Sequence, residues 1–473
     1  MWRFTEEQLQ SWYQHPKRKP LILRGARQVG KSTLVRQFAK SQNLSLIEIN
    51  LERASRLNDI FKTNDVKKVF LELEGLSGQT IEGKNKLLFL DEIQATPHAL
   101  PFLRYLFEDR PDIAVIAAGS LLEFVLAEHG FSMPVGRIEY LHLGPMSFGE
   151  FLLALKEDSL WRLVENFRVG DPFSTMAHER LLERQRQFLF VGGMPEAVLA
   201  YSETHSLIEA QKVHRSILQT YEDDFSKYSH PGHERQLLQK IIAVVPKIIG
   251  KKNKFSEISR DDRSHDVKQA LDLLVKARLF TPAYHSDCSG VPLKAGQDDN
   301  IYKLYFLDVG LFNHLCGLDW SDLSSFTERE LIHEGVLAEQ FAAQHLAYLD
   351  RGLEPPHLNY WLRESRAQNA EVDFVTALGG KILPIEVKSG KSGGLKSLQQ
   401  FVLGKKAKRA VRFDLNLPSL QQVSHKLTGP HHGGMAVNFE LISLPLYMIE
   451  QIATCADHPH RSSPALSLSP GSG

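Results

Sequence analysis

The stretch "KPLILRGARQVGKSTLVRQFAK", residues 19–40, passes from a short apolar segment through a glycine-bearing turn into an amphipathic helical pattern. Gly25, Gly30, Lys31 and Ser32 satisfy GxxxxGK[ST], the spacing of a phosphate-binding loop. The spacing matters because the chain must curl until successive backbone N–H groups and the start of the next helix point at one anion. Glycine permits that curl. The loop comprises Gly25, Ala26, Arg27, Gln28, Val29, Gly30, Lys31, Ser32 and Thr33. Lys31 is placed to reach the β- and γ-phosphates of ATP, and the Ser32 hydroxyl to ligate Mg²⁺.

Such a loop predicts a second strand that ends in an acid. "NKLLFLDEIQ", residues 85–94, supplies Asp91 for the magnesium shell and Glu92 to orient or deprotonate the attacking water. Acids often follow buried strands for no catalytic reason, and it is the pairing with the loop that points to ATP hydrolysis. A third apolar run, "IAVIAAGSLLEF", brings Ser120 to the position of a polar group near the γ-phosphate. With "LSLIEINLE" as a further strand, the first 150 residues read as a parallel sheet wrapped by helices, its ligand lying beyond the carboxyl ends of the strands. Arg137 has two readings, a nucleotide phosphate contact in cis or trans and an ordinary surface arginine.

Beyond this unit the totals set limits. At 473 residues the chain exceeds a single ordinary core of about 250–300 residues, so two or three domains are expected. Its 56 Lys+Arg balance 56 Asp+Glu, which argues against a general polyanion-coating protein. Cys288, Cys316 and Cys455 are too few and too far apart for a disulfide framework or a CxxC metal site. No apolar run approaches a membrane span or a signal-peptide core, so a cytoplasmic protein without membrane partners is expected.

Residues 151–235 read as a helical lid and connector, and 236–315 as a winged-helix-like module. If that module binds DNA, the helix around Asp266 to Arg278 is its recognition helix, and Lys251, Lys252 and Lys254 meet phosphates. The alternative is a module used only for packing. The tail, 455–473, is rich in Pro, Ser and Gly and reads as disordered.

"EVDFVTALGGKILPIEVKSG", residues 371–390, alternates apolar and polar positions around Gly379-Gly380. With the two glycines as a hairpin turn, Leu378 pairs with Lys381, Asp373 falls opposite Glu386, and Glu371 falls opposite Lys388. All four then share a face, while Val372, Phe374, Ile385 and Val387 form the apolar one. Opposed carboxylates repel, and a divalent cation removes the conflict. Asp373 and Glu386 offer the hard oxygens that Mg²⁺ or Mn²⁺ prefers, and Lys388 is placed to act on a water or a phosphate. The competing reading is a solvated hairpin in which Lys388 salt-bridges Glu371. Upstream, Glu339 lies on the apolar stripe of "IHEGVLAEQFAAQHLAYL", where a carboxylate needs a partner and becomes a third acid if that helix packs on the hairpin. Lys405, Lys406, Lys408 and Arg409 form a basic run beyond it.

Taken together, "RGARQVGKSTL", "LLFLDEIQ", "IAVIAAGS", "FVGGMPEAV", "LYFLDVGLFNHL", "GVLAEQFAAQHL" and the hairpin resemble the prokaryotic AAA+ family ATP-binding proteins that carry a C-terminal domain of unknown function. Residues 325–450 are similar to the PD-(D/E)xK restriction-endonuclease-like fold, with Val372 where the fold's name has proline. The resemblance implies an α/β chain made of a P-loop NTPase sheet, a helical lid, a winged-helix-like middle and a nuclease-like domain. It also implies a nucleotide site of Lys31, Ser32, Asp91, Glu92 and Ser120, and a nuclease-type site of Glu339, Asp373, Glu386 and Lys388. The expected cofactors are ATP with Mg²⁺, Mn²⁺ being an alternative at the second site. DNA and a second copy of the chain are the macromolecular partners left open. A nucleotide-dependent switch whose C-terminal domain binds without cleaving is the competing function.

Overall fold

The computed structural model describes residues 1–120, 136–228, 233–252, 258–259, 261–318, 334–364, 369–391, 393–426 and 436–456. Lys254 and residues 457–473 of the expected tail lie outside this set, whereas Cys455 and Ala456 close a short helix, Ile452–Ala456.

Five short strands build the first sheet: β1 (Leu21–Arg24), β2 (Ser45–Asn50), β3 (Lys86–Asp91), β4 (Val115–Gly119) and β5 (Glu139–His142). Their order is β2-β3-β4-β1-β5 and every pairing is parallel. The strands are nearly continuous apolar runs because both faces are covered. Leu21, Leu23, Leu87, Phe89, Ile116 and Ala118 meet the helix Lys31–Ser41 through Leu34, Val35 and Phe38. Ile22, Leu88, Leu90, Val115 and Ala117 face the helices Val66–Ser77 and Ala99–Asp109.

A helical layer follows, from Phe148–Ala154 to Leu207–Tyr228. Its first helix opens with a capping box between Ser147 and Glu150. The helices His233–Ile248 and Ser264–Lys276 then lead into β6 (Phe280–Ser286) and β7 (Gln297–Phe306).

This β6–β7 hairpin is not confined to a separate module. β6 pairs in parallel with β8 (Leu358–Arg363), which places the hairpin at the edge of an eight-stranded sheet. The sheet continues through β9 (Ala370–Leu378), β10 (Lys381–Val387), β11 (Arg409–Asp414), β12 (Ser419–Lys426) and β13 (Ala436–Pro445), in the order β12-β13-β11-β10-β9-β8-β6-β7. The sheet therefore spans the boundary expected between 315 and 325. The helix Glu334–Leu346 lies against β7 and β10, with Leu337, Ala338 and Phe341 in the main core.

The β9–β10 hairpin has the expected register, from Leu378–Lys381 to Phe374–Ile385. Gly379 and Gly380 both adopt positive φ, +54° and +72°, as a two-residue turn of this type requires. The face assignment differs, because β9 must also pair with β8. There Asn359 meets Val375 and Trp361 meets Val372, so two steps on β8 match three on β9. This register shift breaks the alternation. Val372 packs with Trp361 and Phe401, while Phe374, Ile385 and Val387 lie in the main core.

Candidate functional site

The phosphate loop follows β1 directly. An added Cβ on Gly25 would sit 2.2 Å from the Leu143 carbonyl oxygen, so the close approach of β5's continuation excludes a side chain. Gly30, at φ +92°, is the left-handed residue that opens the Lys31–Ser41 helix. Lys31 is buried, its Nζ donating to the carbonyls of Gly25 (3.0 Å) and Ala26 (2.7 Å) within the curl. The Ser32 hydroxyl donates to Asp91 Oδ2 at 2.8 Å. β4 lies between β1 and β3, so buried Ser120 follows the strand that separates the loop from Asp91. Burial raises the Asp91 carboxyl above its usual range, opposed by the Ser32 hydrogen bond. Glu92 sits at φ +54° and accepts from Gln94 Nε2 at 2.5 Å.

Arg137 does not face its own loop. It precedes β5 at the end where Glu139 pairs with Leu21, the far end of β1, and it donates to Glu108 at 3.0 Å. Three contacts that the sequence reading missed do reach the loop. Arg3 donates to the Val29 carbonyl at 2.9 Å and to Glu150 at 2.9 Å. Tyr221 donates to the Arg27 carbonyl at 2.7 Å, and Asp224 pairs with the Arg27 guanidinium. Tyr221 and Asp224 lie on the helix Leu207–Tyr228, which the sequence marked only as connector.

The second cluster lies where β7, β9, β10 and the Glu334–Leu346 helix meet. Asp373 Oδ2 accepts the Val387 N–H at 2.8 Å, which holds the acid of β9 against the end of β10. Glu386 is 5 % exposed. One of its oxygens pairs with Lys388, while the buried Oε2 has no hydrogen-bond partner among the described residues. Glu339 Oε2 accepts from Tyr305 Oη at 3.0 Å and lies 3.7 Å from Lys303 Nζ. Glu371 pairs with Lys303 and not, as the competing reading of the hairpin had it, with Lys388. Lys303 and Tyr305 come from β7 and were not singled out from the sequence. Their signal was a lysine inside the apolar run "IYKLYFLDV", which a buried strand tolerates only beside a carboxylate.

The electrostatics tie these groups together. Burial, with Asp373 as the next cause, pushes both Glu339 and Glu386 up to about 7. Burial also raises Asp373, against the pull of Lys303. For Lys303, burial works against the charged form, but Glu339 and Glu371 outweigh it and hold the amine above its usual range. Lys388 is likewise raised: burial works against its charge, but its hydrogen bond to Glu386 and the nearby charges of Glu386, Asp373 and Glu339 together outweigh it. Among the described residues no group of three or more His, Cys, Asp or Glu is arranged to hold a metal ion.

Comparison with known proteins bears first on the loop, since residues 17–152 match the family model described as AAA domain. The match spans the five-stranded parallel sheet, β1 to β5, and the Lys31–Ser41 helix. It contains the loop, Asp91 and the strand ends just described. Two further models match, both described as domains of unknown function: DUF8612 over 182–322 and DUF4143 over 334–422. The second contains Glu339, Asp373, Glu386 and Lys388, and the first contains Lys303 and Tyr305. Solved structures with some likeness include a Thermotoga maritima RuvB Holliday junction branch migration motor, with 13 % identity, 59 % of this chain and 88 % of that one covered, and a TM-score of 0.28. Another is PCH-2 of C. elegans, with 15 % identity, coverage of 44 % and 64 %, and a TM-score of 0.25. Among the described residues no helix is long and apolar enough to cross a membrane.

Of the basic groups expected to meet DNA, Arg409 is occupied by Glu440 at 2.6 Å, and Lys252 pairs with Glu364 at 2.7 Å.

Proposed function

We propose that the AAA domain binds and hydrolyses ATP, and that its nucleotide state is coupled to a metal-dependent, DNA-directed nuclease-type site on the C-terminal sheet. At the loop, Lys31 exchanges its two carbonyl partners for the β- and γ-phosphates. Ser32 and Asp91, already in contact, suit a shared Mg²⁺ shell, and Glu92, braced by Gln94, orients the attacking water. Lys31→Ala tests this assignment. Binding of a fluorescent ATP analogue should weaken at least about tenfold and turnover should be lost. Unchanged turnover would remove the loop from the mechanism.

At the second site the observation that carries the reading is the buried Glu386 Oε2, which has no hydrogen-bond partner among the described residues and shares its cluster with Asp373. A buried carboxylate oxygen without a donor is costly, and it fits a hard divalent cation. Asp373 and Glu386 would hold Mg²⁺ or Mn²⁺, which supplies charge neutralisation at a phosphate oxygen. Glu339 adds a third carboxylate on the facing helix. Lys388, 25 % exposed at its side chain, keeps its ammonium at the mouth of the site, where it orients a water or meets the scissile phosphate.

Coupling is supported by a continuous set of contacts. Pro195 lies against the Cα of Gly30, where an added Cβ would be 3.3 Å from its ring. Two residues earlier, Gly193 N donates to Asp308 at 2.6 Å, and Asp308 accepts from Gln344 at 3.2 Å on the helix that carries Glu339. A second reading, a nucleotide-dependent switch that binds without cleaving, is favoured by one observation. Lys303 and Lys388 already neutralise the carboxylates without a metal.

A further inference from the structure

The second buried lysine of the acid cluster has no place in the motif that located the site. Lys303 stands on β7, at the edge of the sheet opposite β12, and is 2 % exposed. It pairs with Glu371, lies 3.7 Å from Glu339 Oε2, and stacks over the Tyr360 ring with its Nζ 5.3 Å from the centroid. At that burial the ammonium does not meet a nucleic-acid phosphate directly. It sits with Glu339 and Glu371, while Lys388 pairs with Glu386, the acid whose spare oxygen is Oε2.

We propose that Lys303 is the resident counter-cation of this cluster, a positioning residue whose ammonium competes with a divalent metal for Glu339, Glu371 and Asp373. The proposal rests on the metal-dependent reading of the site given above. A fixed positive charge within a few ångströms of a metal position repels the metal at low local dielectric. It also offsets the mutual repulsion of the acids while the metal is absent. Metal affinity is thereby linked to the strand that carries the amine. That strand is bridged to the preceding helical segment at Ile249–Leu304 and Lys252–Lys303, and Gly250 N donates to the Leu304 carbonyl at 3.0 Å. A shift of β7 away from Glu339 is then sufficient to tighten metal binding. An ordinary structural ion pair makes the opposite forecast, because removing one partner of a buried pair loosens everything around it.

The test is Mn²⁺ binding to the full chain without nucleotide at pH 8, followed by the loss of the free Mn²⁺ electron paramagnetic resonance signal. Wild type, Lys303→Met, Lys303→Arg and Asp373→Asn are compared, with circular dichroism to verify folding. Lys303→Met should bind Mn²⁺ about tenfold more tightly than wild type, the scale of removing one nearby like charge. Lys303→Arg should resemble wild type, and Asp373→Asn should lose the site. Equal or weaker binding by Lys303→Met, with the Asp373 dependence intact, overturns the counter-cation role and leaves the metal site standing. Absence of Mn²⁺ binding in all four proteins overturns both. If Lys303→Met does not fold, acylation of Lys303 in wild type, read by peptide mass spectrometry, decides the matter. The amine should be protected without Mn²⁺ and become reactive with it, and protection unchanged by Mn²⁺ overturns the proposal.

Discussion

Glu450 shows how a single partly buried acid sets part of the molecule's pH response. It accepts the Gly149 N–H at 2.7 Å, and burial pushes its carboxyl up to about 7. Its ordinary value is 4.5, so the folded chain holds a proton there that the unfolded chain releases. The stability that this proton contributes is complete below pH 4.5 and is lost as pH rises through 7. Glu450→Gln keeps an acceptor for Gly149 and removes the titration. Its melting temperature relative to wild type should therefore be higher at pH 8 than at pH 5, by the equivalent of about 1–3 kcal/mol, read by thermal denaturation at both values. The same scale shows what was legible in the sequence. Lys31, Ser32, Asp91, Glu339, Asp373, Glu386 and Lys388 stand in local patterns whose period or spacing reveals them. Tyr305, Arg3 and Tyr221 do not, because each acts on a partner tens to hundreds of residues away, and Lys303 is marked only by its place in an apolar run. The structure places Arg137 beside Glu108, since β5 runs parallel to β1 and starts at the far end of the sheet from the loop.

Among the elements, the β9–β10 hairpin was the most legible, and its turn explains why. Two residues at positive φ demand glycine or asparagine. Once the turn is located, every pair from Leu378–Lys381 to Phe374–Ile385 follows by counting. Gly380→Val, at φ +72° with open space around the added side chain, should cost about 1–2 kcal/mol through backbone strain alone. Gly380→Asn should cost well under half of that. Urea denaturation of the two variants checks the ordering, and a neutral Gly380→Val would contradict the turn assignment. The register shift against β8 was not legible, because it is imposed by a neighbour on the other side of β9. It is also why Glu371 reaches Lys303 in place of Lys388. Likewise, nothing local in "FTPAYHS" says whether β6 belongs to a free-standing wing or to the edge of a larger sheet. Only its parallel pairing with β8 decides that.

At the scale of the whole molecule, Asp308 joins the turn after the helix Thr175–Val191 to the Glu339-bearing helix. It is fully buried and accepts from Gly193 (2.6 Å), Gly310 (2.9 Å), Leu311 (3.0 Å) and Gln344 (3.2 Å). It thus caps the helix Val309–Leu315 and fastens both the Gly192-Gly193 turn and the Glu339-bearing helix. Asp308→Ala leaves several buried donors without partners and should destabilise the chain by about 3 kcal/mol or more. Asp308→Asn, which keeps one acceptor oxygen, should cost less. If nucleotide state travels along these contacts, Asp308→Asn should also reduce the effect of ATP on the C-terminal site while leaving ATP binding near the wild-type level. ATP binding and Mn²⁺ binding measured on the same preparation test this, and unchanged coupling would point to another route, such as Arg27 with Asp224 and Tyr221.

Nucleotide state at the loop is proposed to control a metal-dependent site on the C-terminal sheet. The most direct test is cleavage of linear and circular DNA with Mg²⁺ or Mn²⁺, with and without ATP, by wild type, Lys388→Ala and Lys31→Ala. Cleavage by wild type should change with ATP, be lost in Lys388→Ala while ATPase activity remains, and become indifferent to ATP in Lys31→Ala. DNA left intact by wild type under every condition, with ATPase activity present, would contradict this control and leave the C-terminal sheet as a binding surface.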